Sequence, residues 1–283
     1  MKNLVFGLRP VIEAIEAGRQ IEKIYVKKGA DGQLIGELRE VARAQHIHVQ
    51  EVPVEKLDRL VRPIAARGRD GRGAERDGGH GGGRAAVNHQ GVVAQISEIV
   101  YAELDEILAA IPEGTAGLVV VFDGVTDVRN FGAIARTAEC AGAHGLIVPI
   151  KNAAPVNADA MKASAGALNV IPVCRAGSVR NALKLLQAEG FQVVAASEKA
   201  SATLYSADLT QPTAIVMGSE EDGISKEVLK LCDAQISIPL RGRIESLNVG
   251  AAAAVMLYEA VRQRHGSSSG NAGEGAEAGT RNE

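Results

Sequence analysis

The sequence has no tryptophan, and aromatic residues make up only 3% of its 283 positions. Proteins that hold single-stranded nucleic acid chiefly by stacking bases on aromatic platforms need more rings than this. Cysteine is also scarce. Cys140, Cys174 and Cys232 lie far apart, form no C-x-x-C and are odd in number, which argues against a disulfide framework and fits a reducing, cytoplasmic setting. No apolar run approaches the roughly 20 residues of a membrane-spanning helix. The first seven residues lack the apolar core of a signal peptide. The phosphate loop G-x-x-x-x-G-K-[ST] is missing, as is a G-x-G-x-x-G after a strand. There is no G-x-S-x-G to support a hydrolase. Neither H-E-x-x-H nor a paired C-x-x-C occurs, so no metal is expected.

What is present is ordinary for a soluble globular protein: 46% hydrophobic and 23% charged residues. At roughly 150 residues per domain, the length suggests two domains. The net charge of -3 hides an asymmetry, because residues 1–90 carry 16 Lys/Arg against 12 Asp/Glu and the remainder 15 against 22. A basic front half is a candidate footprint for RNA or DNA. A loosely basic solvated surface accounts for it as well.

Apolar spacing and breakers predict a helix over 9–18, with Pro10 in its first turn, Val11, Ile12 and Ile15 as its stripe and Gly18 at its end. A strand over 21–26, a helix over 33–45 and a strand over 47–52 complete a small α/β module. Composition then breaks. Residues 67–86 are rich in Gly and Arg and nearly devoid of large apolar side chains, which predicts a flexible insert. His80 and His89 sit in or beside it without spaced ligand partners, so a metal role is not expected of either. Residues 89–96 read as a return strand and 103–110 as a short helix. From 117 the pattern alternates. Strands are expected at 118–122, 146–148, 170–173, 192–195, 214–217 and 235–238, and helices at 132–141, 158–163, 179–189, 226–232 and 249–264. Such alternation predicts a parallel sheet with helices on both faces and a ligand site beyond the carboxyl ends of its strands. Residues 266–283 read as a disordered tail.

Three polar clusters follow predicted strands. The first, Asp123 to Ala138, turns into a helix near Asn130. Arg136 interrupts a run of small and apolar residues there, either as a surface ion-pairing residue or as a grip for a phosphate or hydroxyl. Its six-residue offset from Asn130 does not put the two on one helix face. The second, Val216 to Ser225, is an acidic turn bracketed by Gly218 and Gly223, with Ser225 placed to cap the next helix. Its acids would repel phosphate and suit a cationic or hydroxyl-bearing ligand. The third, Ile238 to Gly250, offers Ser246 and Asn248 at the start of a long helix. Each alone reads as a capped strand-to-helix turn.

Together, in order and spacing, the clusters resemble the three motifs of the SpoU (TrmH) family of S-adenosylmethionine-dependent RNA ribose 2'-O-methyltransferases: N-x-G-x-x-x-R-T, G-S-E-x-x-G-(I/L)-S and I-P-(x)n-S-L-N-V. The run Phe6 to Ala14 is similar to that family's N-terminal RNA-substrate-binding domain, and His89 to Ala94 to its closing segment. The layout is most like the 23S rRNA (guanosine-2'-O-)-methyltransferase branch. Where the family commonly has Pro, Gly and Ser, this chain has Val128, Glu221 and Gly250.

The resemblance implies an α/β fold whose C-terminal methyltransferase domain, 116–265, has a parallel sheet tied in a deep trefoil knot. It implies a small N-terminal α/β RNA-binding domain over 1–96, a linker over 97–115 and a homodimer. It places Gly218, Ile238 and Leu247 beside S-adenosylmethionine, and Asn130, Arg136, Glu220, Ser246 and Asn248 at the polar active-site positions. Transfer of a methyl from a sulfonium needs alignment and removal of a hydroxyl proton rather than a metal. Arginine stays protonated at neutral pH, so Arg136 is expected to grip an RNA phosphate and orient the 2'-hydroxyl, the proton leaving through a phosphate oxygen or water. The expected substrate is a guanosine in the peptidyl-transferase region of 23S rRNA, free or in a ribosomal precursor, with no DNA or membrane partner. Two alternatives are a tRNA or different rRNA nucleotide, and a catalytically inactive RNA-binding or assembly factor.

Overall fold

The computed structural model describes residues 4–45, 47–67 and 88–268, with side chains given up to 62 in the second stretch and up to 265 in the last. Nearly all of the Gly/Arg-rich insert, and the tail from 269 on, lie outside the described residues. The chain divides into two compact units, residues up to 100 with 155–158, and residues 101–154 with those from 159 on.

The first unit contains β1 (Leu4–Phe6), α1 (Leu8–Glu16), β2 (Ile21–Lys27), α2 (Gln33–Ala44), β3 (Val49–Val52), α3 (Val54–Arg67) and β4 (Val92–Ile96). Its sheet has the order β1-β4-β2-β3, with β2 and β3 parallel and the other pairs antiparallel. Val11, Ile15, Ile24, Val26 and Leu38 close the core between this sheet and α1 and α2. The two segments that carried the N-terminal resemblance meet here. β1 pairs with β4, and the Gln90 side chain accepts a hydrogen bond from the Leu8 backbone N–H at 3.1 Å, capping α1 across 82 residues. His89 is held by protein groups: its Nδ1 accepts from the Gly91 N–H at 3.0 Å and its Nε2 lies 3.1 Å from an Asp58 carboxylate oxygen.

The second unit contains α4 (Leu104–Ala109), β5 (Leu118–Asp123), α5 (Val128–Cys140), β6 (Gly145–Pro149), α6 (Ala158–Ala163), β7 (Val173–Ala176), α7 (Val179–Ala188), β8 (Gln192–Ala196), β9 (Ala202–Thr203), β10 (Thr213–Gly218), α8 (Lys226–Leu229), β11 (Ala234–Ser237) and α9 (Val249–Ser268). Its seven strands run in the order β7-β6-β5-β10-β8-β11-β9, every pair parallel. Successive residues of a strand face opposite sides of a sheet. Val119 and Val121 of β5 join a core with α4 and α7. Phe122 faces the other way and meets Phe131 of α5 edge to face, ring centroids 5.2 Å apart. Burial on both faces explains why these strands read as continuous apolar runs.

The structure departs from the sequence expectations in several places. The strand expected at 170–173 lies at Val173–Ala176 instead. Val170 ends a 3-10 turn and is 69% exposed, and pairing with β6 begins only after Pro172. Helix α5 starts four residues earlier than 132, because Asp127 accepts from the N–H groups of Arg129 and Asn130 at 2.7 and 3.1 Å. Segment 97–115 is more than a connector, since Leu104 and Ile107 of α4 are buried in the second unit's core. Strands β1 and β9 and helix α3 were not foreseen.

Candidate active site

Parallel pairing sets the site. Gly218, at the end of β10, is in register with Asp123, at the end of β5, so the first two polar clusters leave the sheet side by side. The third follows β11 at the same end of the sheet. The Gly218 position has no room for a side chain: a Cβ there would lie 2.3 Å from the Gly223 carbonyl carbon and 2.4 Å from the Ile224 nitrogen. The acidic loop therefore folds flat over Gly218. Ser219 and Gly223 exchange both backbone hydrogen bonds, at 3.0 and 3.1 Å, and Gly223 takes the left-handed φ of +69° that closes the turn. Ser225 stands at the N-cap of α8 without a side-chain capping bond, contrary to expectation. Its N–H donates to Asp123 instead, at 2.7 Å, tying the first cluster to the second.

Three predicted site residues form a closed triangle. Asn130 Nδ2 donates to Glu220 Oε1 at 2.7 Å. Asn248 Nδ2 donates to the same Glu220 oxygen at 2.9 Å and to Asn130 Oδ1 at 3.0 Å. The Asn248 Oδ1 also accepts the Gly250 N–H at 3.0 Å, so one amide caps α9 and joins the triangle. Gly132 brings α5 into place. A Cβ at that position would lie 2.5 Å from Ala163 Cβ and 2.9 Å from the Ala160 carbonyl oxygen.

Beside the triangle lies a cleft of about 360 Å3 lined by Gly218, Ile238 and Leu247, the expected donor residues, and by Glu220, Ser246 and Asn248. Met217, Ile236, Val249 and Met256 supply buried apolar wall, and Glu198 adds a second carboxylate. Sequence reading missed Glu198, Met217 and Met256. Glu198, just after β8, could have been found by examining every strand end. The lining fits S-adenosylmethionine: apolar side chains and close backbone suit an adenine and a thioether chain, while two carboxylates suit ammonium and sulfonium charge. A second cleft, about 340 Å3, shares Ser219, Glu220 and Val249 with the first and is rimmed by Asp127, Asn130, Glu221 and Asp222. Backbone hydrogen bonds from Asn130 and Arg129 lower the Asp127 pKa, keeping that cap ionised.

Arg136 is not part of the triangle. It is exposed on α5, lines neither cleft and has no hydrogen-bond or ion-pair partner among the described residues. Ser246 lines the donor cleft but is exposed, with no hydrogen bond among the described residues. Among the described residues no group of three or more His, Cys, Asp or Glu is placed to hold a metal, and no helix is long and apolar enough to cross a membrane.

Comparison with known proteins covers both units. Residues 117–258 match the SpoU rRNA Methylase family, and residues 4–63 match a family described as RNA 2'-O ribose methyltransferase substrate binding. An uncharacterized tRNA/rRNA methyltransferase of Mycolicibacterium vanbaalenii is 37% identical over 264 residues, 93% of this chain and 77% of that protein. A protein of Staphylococcus haemolyticus named for the TrmH family of tRNA/rRNA methyltransferases is 35% identical over 93% of this chain and 96% of its own. Among solved structures, the SpoU methyltransferase AviRb of Streptomyces viridochromogenes, bound to AdoMet, superposes with a TM-score of 0.54 at 30% identity, covering 93% of this chain and 90% of that one. An AdoMet-bound rRNA methyltransferase of Sinorhizobium meliloti gives 0.54 at 28% identity, over 92% and 86%.

Proposed function

The chain belongs to the SpoU methylase family, with S-adenosylmethionine as its methyl donor, and on that footing we propose that it methylates the ribose 2'-oxygen of a guanosine in the peptidyl-transferase region of 23S rRNA. The observation that carries the reading is the triangle of Asn130, Glu220 and Asn248, which stands intact at the wall of a cleft suited to the donor. An inactive RNA-binding factor has no need of such an arrangement.

Bound in the cleft, the donor supplies an electrophilic methyl group. Gly218, Ile238 and Leu247 hold it, Gly218 by letting the acidic loop lie flat beside the cleft. Glu220 is the centre of the triangle: it accepts from both asparagines and thereby fixes their amides, leaving the second Nδ2 hydrogen of Asn130 for the nucleotide. Ser246 completes the pocket. Arg136 stands exposed and, among the described residues, without partners. It grips a phosphate through its planar fork and orients the 2'-hydroxyl, whose proton leaves to a phosphate oxygen or water as the oxygen takes the methyl. The first unit presents the RNA. Domain limits of 1–96 and 116–265, the deep trefoil knot and a homodimer belong to the same proposal. The exposed Val255 and Tyr258 on α9 provide apolar surface for a second copy.

Incubation with labelled S-adenosylmethionine and, separately, unmodified 23S rRNA, 16S rRNA and tRNA tests the acceptor. Label confined to one guanosine ribose of 23S rRNA supports the reading. Label in tRNA alone overturns the substrate and keeps the reaction, an outcome the tRNA/rRNA names of the relatives make worth including.

A further inference from the structure

Residues 238–247 form a ten-residue strap between β11 and α9. Among the described residues the strap makes no hydrogen bond, backbone or side chain. Ile238, Leu240, Ser246 and Leu247 nevertheless line the donor cleft. The middle of the strap faces solvent. Ile244 is 77% exposed, and Arg241 and Arg243 are exposed and have no carboxylate partner among the described residues. Glu245 is the one acid of the strap. Nothing packs near the Gly242 position, so steric demand does not explain the glycine between the two arginines.

The loop after β10 has the reverse sign. Glu220, Glu221 and Asp222 follow one another on the loop after β10, and Asp127 adds to them across the second cleft. A polyanion brought to the cleft is repelled on that side and attracted on the strap side. Exposed arginines held without an ion-pair partner lose little by turning to a phosphate, and their planar fork matches it. We infer that Arg241 and Arg243 contact phosphates of the RNA strand that delivers the target ribose, so that the strand crosses the 238–247 strap and avoids the acidic rim. The inference rests on the acceptor being RNA, as proposed above. It adds two positioning residues and a direction of approach.

The test is binding of fluorescein-labelled single-stranded RNA to the full chain, in the presence of S-adenosylhomocysteine, across a salt series. Arg241→Ala/Arg243→Ala is expected to bind about tenfold more weakly. Its log K against log salt should be shallower by about 1.4, at about 0.7 per single-strand phosphate contact. Arg241→Lys/Arg243→Lys, which keeps the charge, should retain the wild-type slope. On any RNA the wild type methylates, the loss should fall on KM and not on kcat. Calorimetry with S-adenosylmethionine should give a donor Kd unchanged within about twofold. An unchanged RNA affinity and salt slope in the alanine variant overturns the inference, as does a donor Kd weakened by the same factor as RNA binding. A wild type that binds RNA but methylates none overturns the proposed reaction instead, while the binding comparison still decides the role of the arginines.

Discussion

Asn130 and Asn248 stand 118 residues apart in the chain, yet Asn248 Nδ2 donates to Asn130 Oδ1 at 3.0 Å. Asn248 Oδ1 meanwhile receives the N–H of Gly250 and so begins α9. Helix start and active site are therefore one arrangement, and two substitutions separate them. Asn248→Ala should lose activity and about 1 kcal/mol of stability with the cap. Asn248→Asp keeps the capping acceptor, loses the Nδ2 donor and faces Glu220 with like charge. It should lose activity while keeping most of the cap. Urea denaturation beside turnover distinguishes the two. Equal activity loss with equal stability loss would mean that the residue acts only as a cap.

Glu220 accepts from both asparagines through one oxygen. Hydrogen bonds to a charged group contribute roughly 1.5–3 kcal/mol. Glu220→Ala should accordingly lower kcat by about 10- to 100-fold, with donor affinity affected less. Single-turnover transfer at saturating donor is the measurement.

Gly218→Ala places a methyl group against the Gly223–Ile224 peptide, where the nearest atoms lie 2.3 and 2.4 Å away. The acidic loop must lift, and it forms a wall of the donor cleft. We expect a donor Kd at least about tenfold weaker by calorimetry, with loss of fold bounded by circular dichroism on the same sample. An unchanged Kd would show that the donor does not depend on the loop lying flat over Gly218.

Arg264, near the end of α9, donates to four carbonyls, those of Ala116, Gly117, Leu209 and Gln211, at 2.8 to 3.2 Å. Desolvation lowers its pKa, but the pairing with so many acceptors keeps it useful as a clamp between the helix and two loops. Arg264→Met should destabilise the second unit by about 3 kcal/mol, because several carbonyls lose their donor together. Arg264→Lys should recover less than half, since an ammonium cannot fork to all four.

His144 accepts the Leu118 N–H at 3.1 Å through Nδ1, and burial lowers its pKa below 6.5. The sign follows directly. Unfolded chains take up a proton near pH 6.5 that the folded form resists. Stability tied to His144 is present above that pH and is lost as pH falls through the depressed folded value. The urea midpoint of the wild type should therefore drop between pH 7.5 and pH 5.5 by more than that of His144→Gln. A drop of the same size in both would exclude this histidine as a cause.

Much of the site was legible because parallel sheets deliver polar residues at strand ends. Asn130, Glu220 and Asn248 each follow a readable apolar run, and so does the Gly218 turn. Their mutual bonding was not legible, since strand order decides which ends meet and spacing along the chain does not report it. Asp127 as the cap of α5 was readable in principle, as an Asp before a helical run. The strap's two arginines read only as charge. Strands β1 and β9 have three and two residues, too short for an alternating pattern to register. Helix α3 carries Pro63, a residue that ordinarily ends helices. The misplaced strand at 170–173 shows the limit of apolar runs: Val170 and Ile171 look like sheet, but Pro172 cannot donate to a ladder and pairing begins after it.

The most direct measurement maps the transferred methyl. Wild-type protein, Arg136→Ala and Arg136→Lys are incubated with labelled S-adenosylmethionine and unmodified 23S rRNA, and the labelled nucleotide is identified after digestion. Expected is a single guanosine methylated on its 2'-oxygen by the wild type, no product with Arg136→Ala, and little with Arg136→Lys, whose ammonium lacks the planar fork. A methyl on a base atom, or tight donor binding with transfer to no RNA tested, would contradict the assignment of this site to ribose 2'-O-methylation.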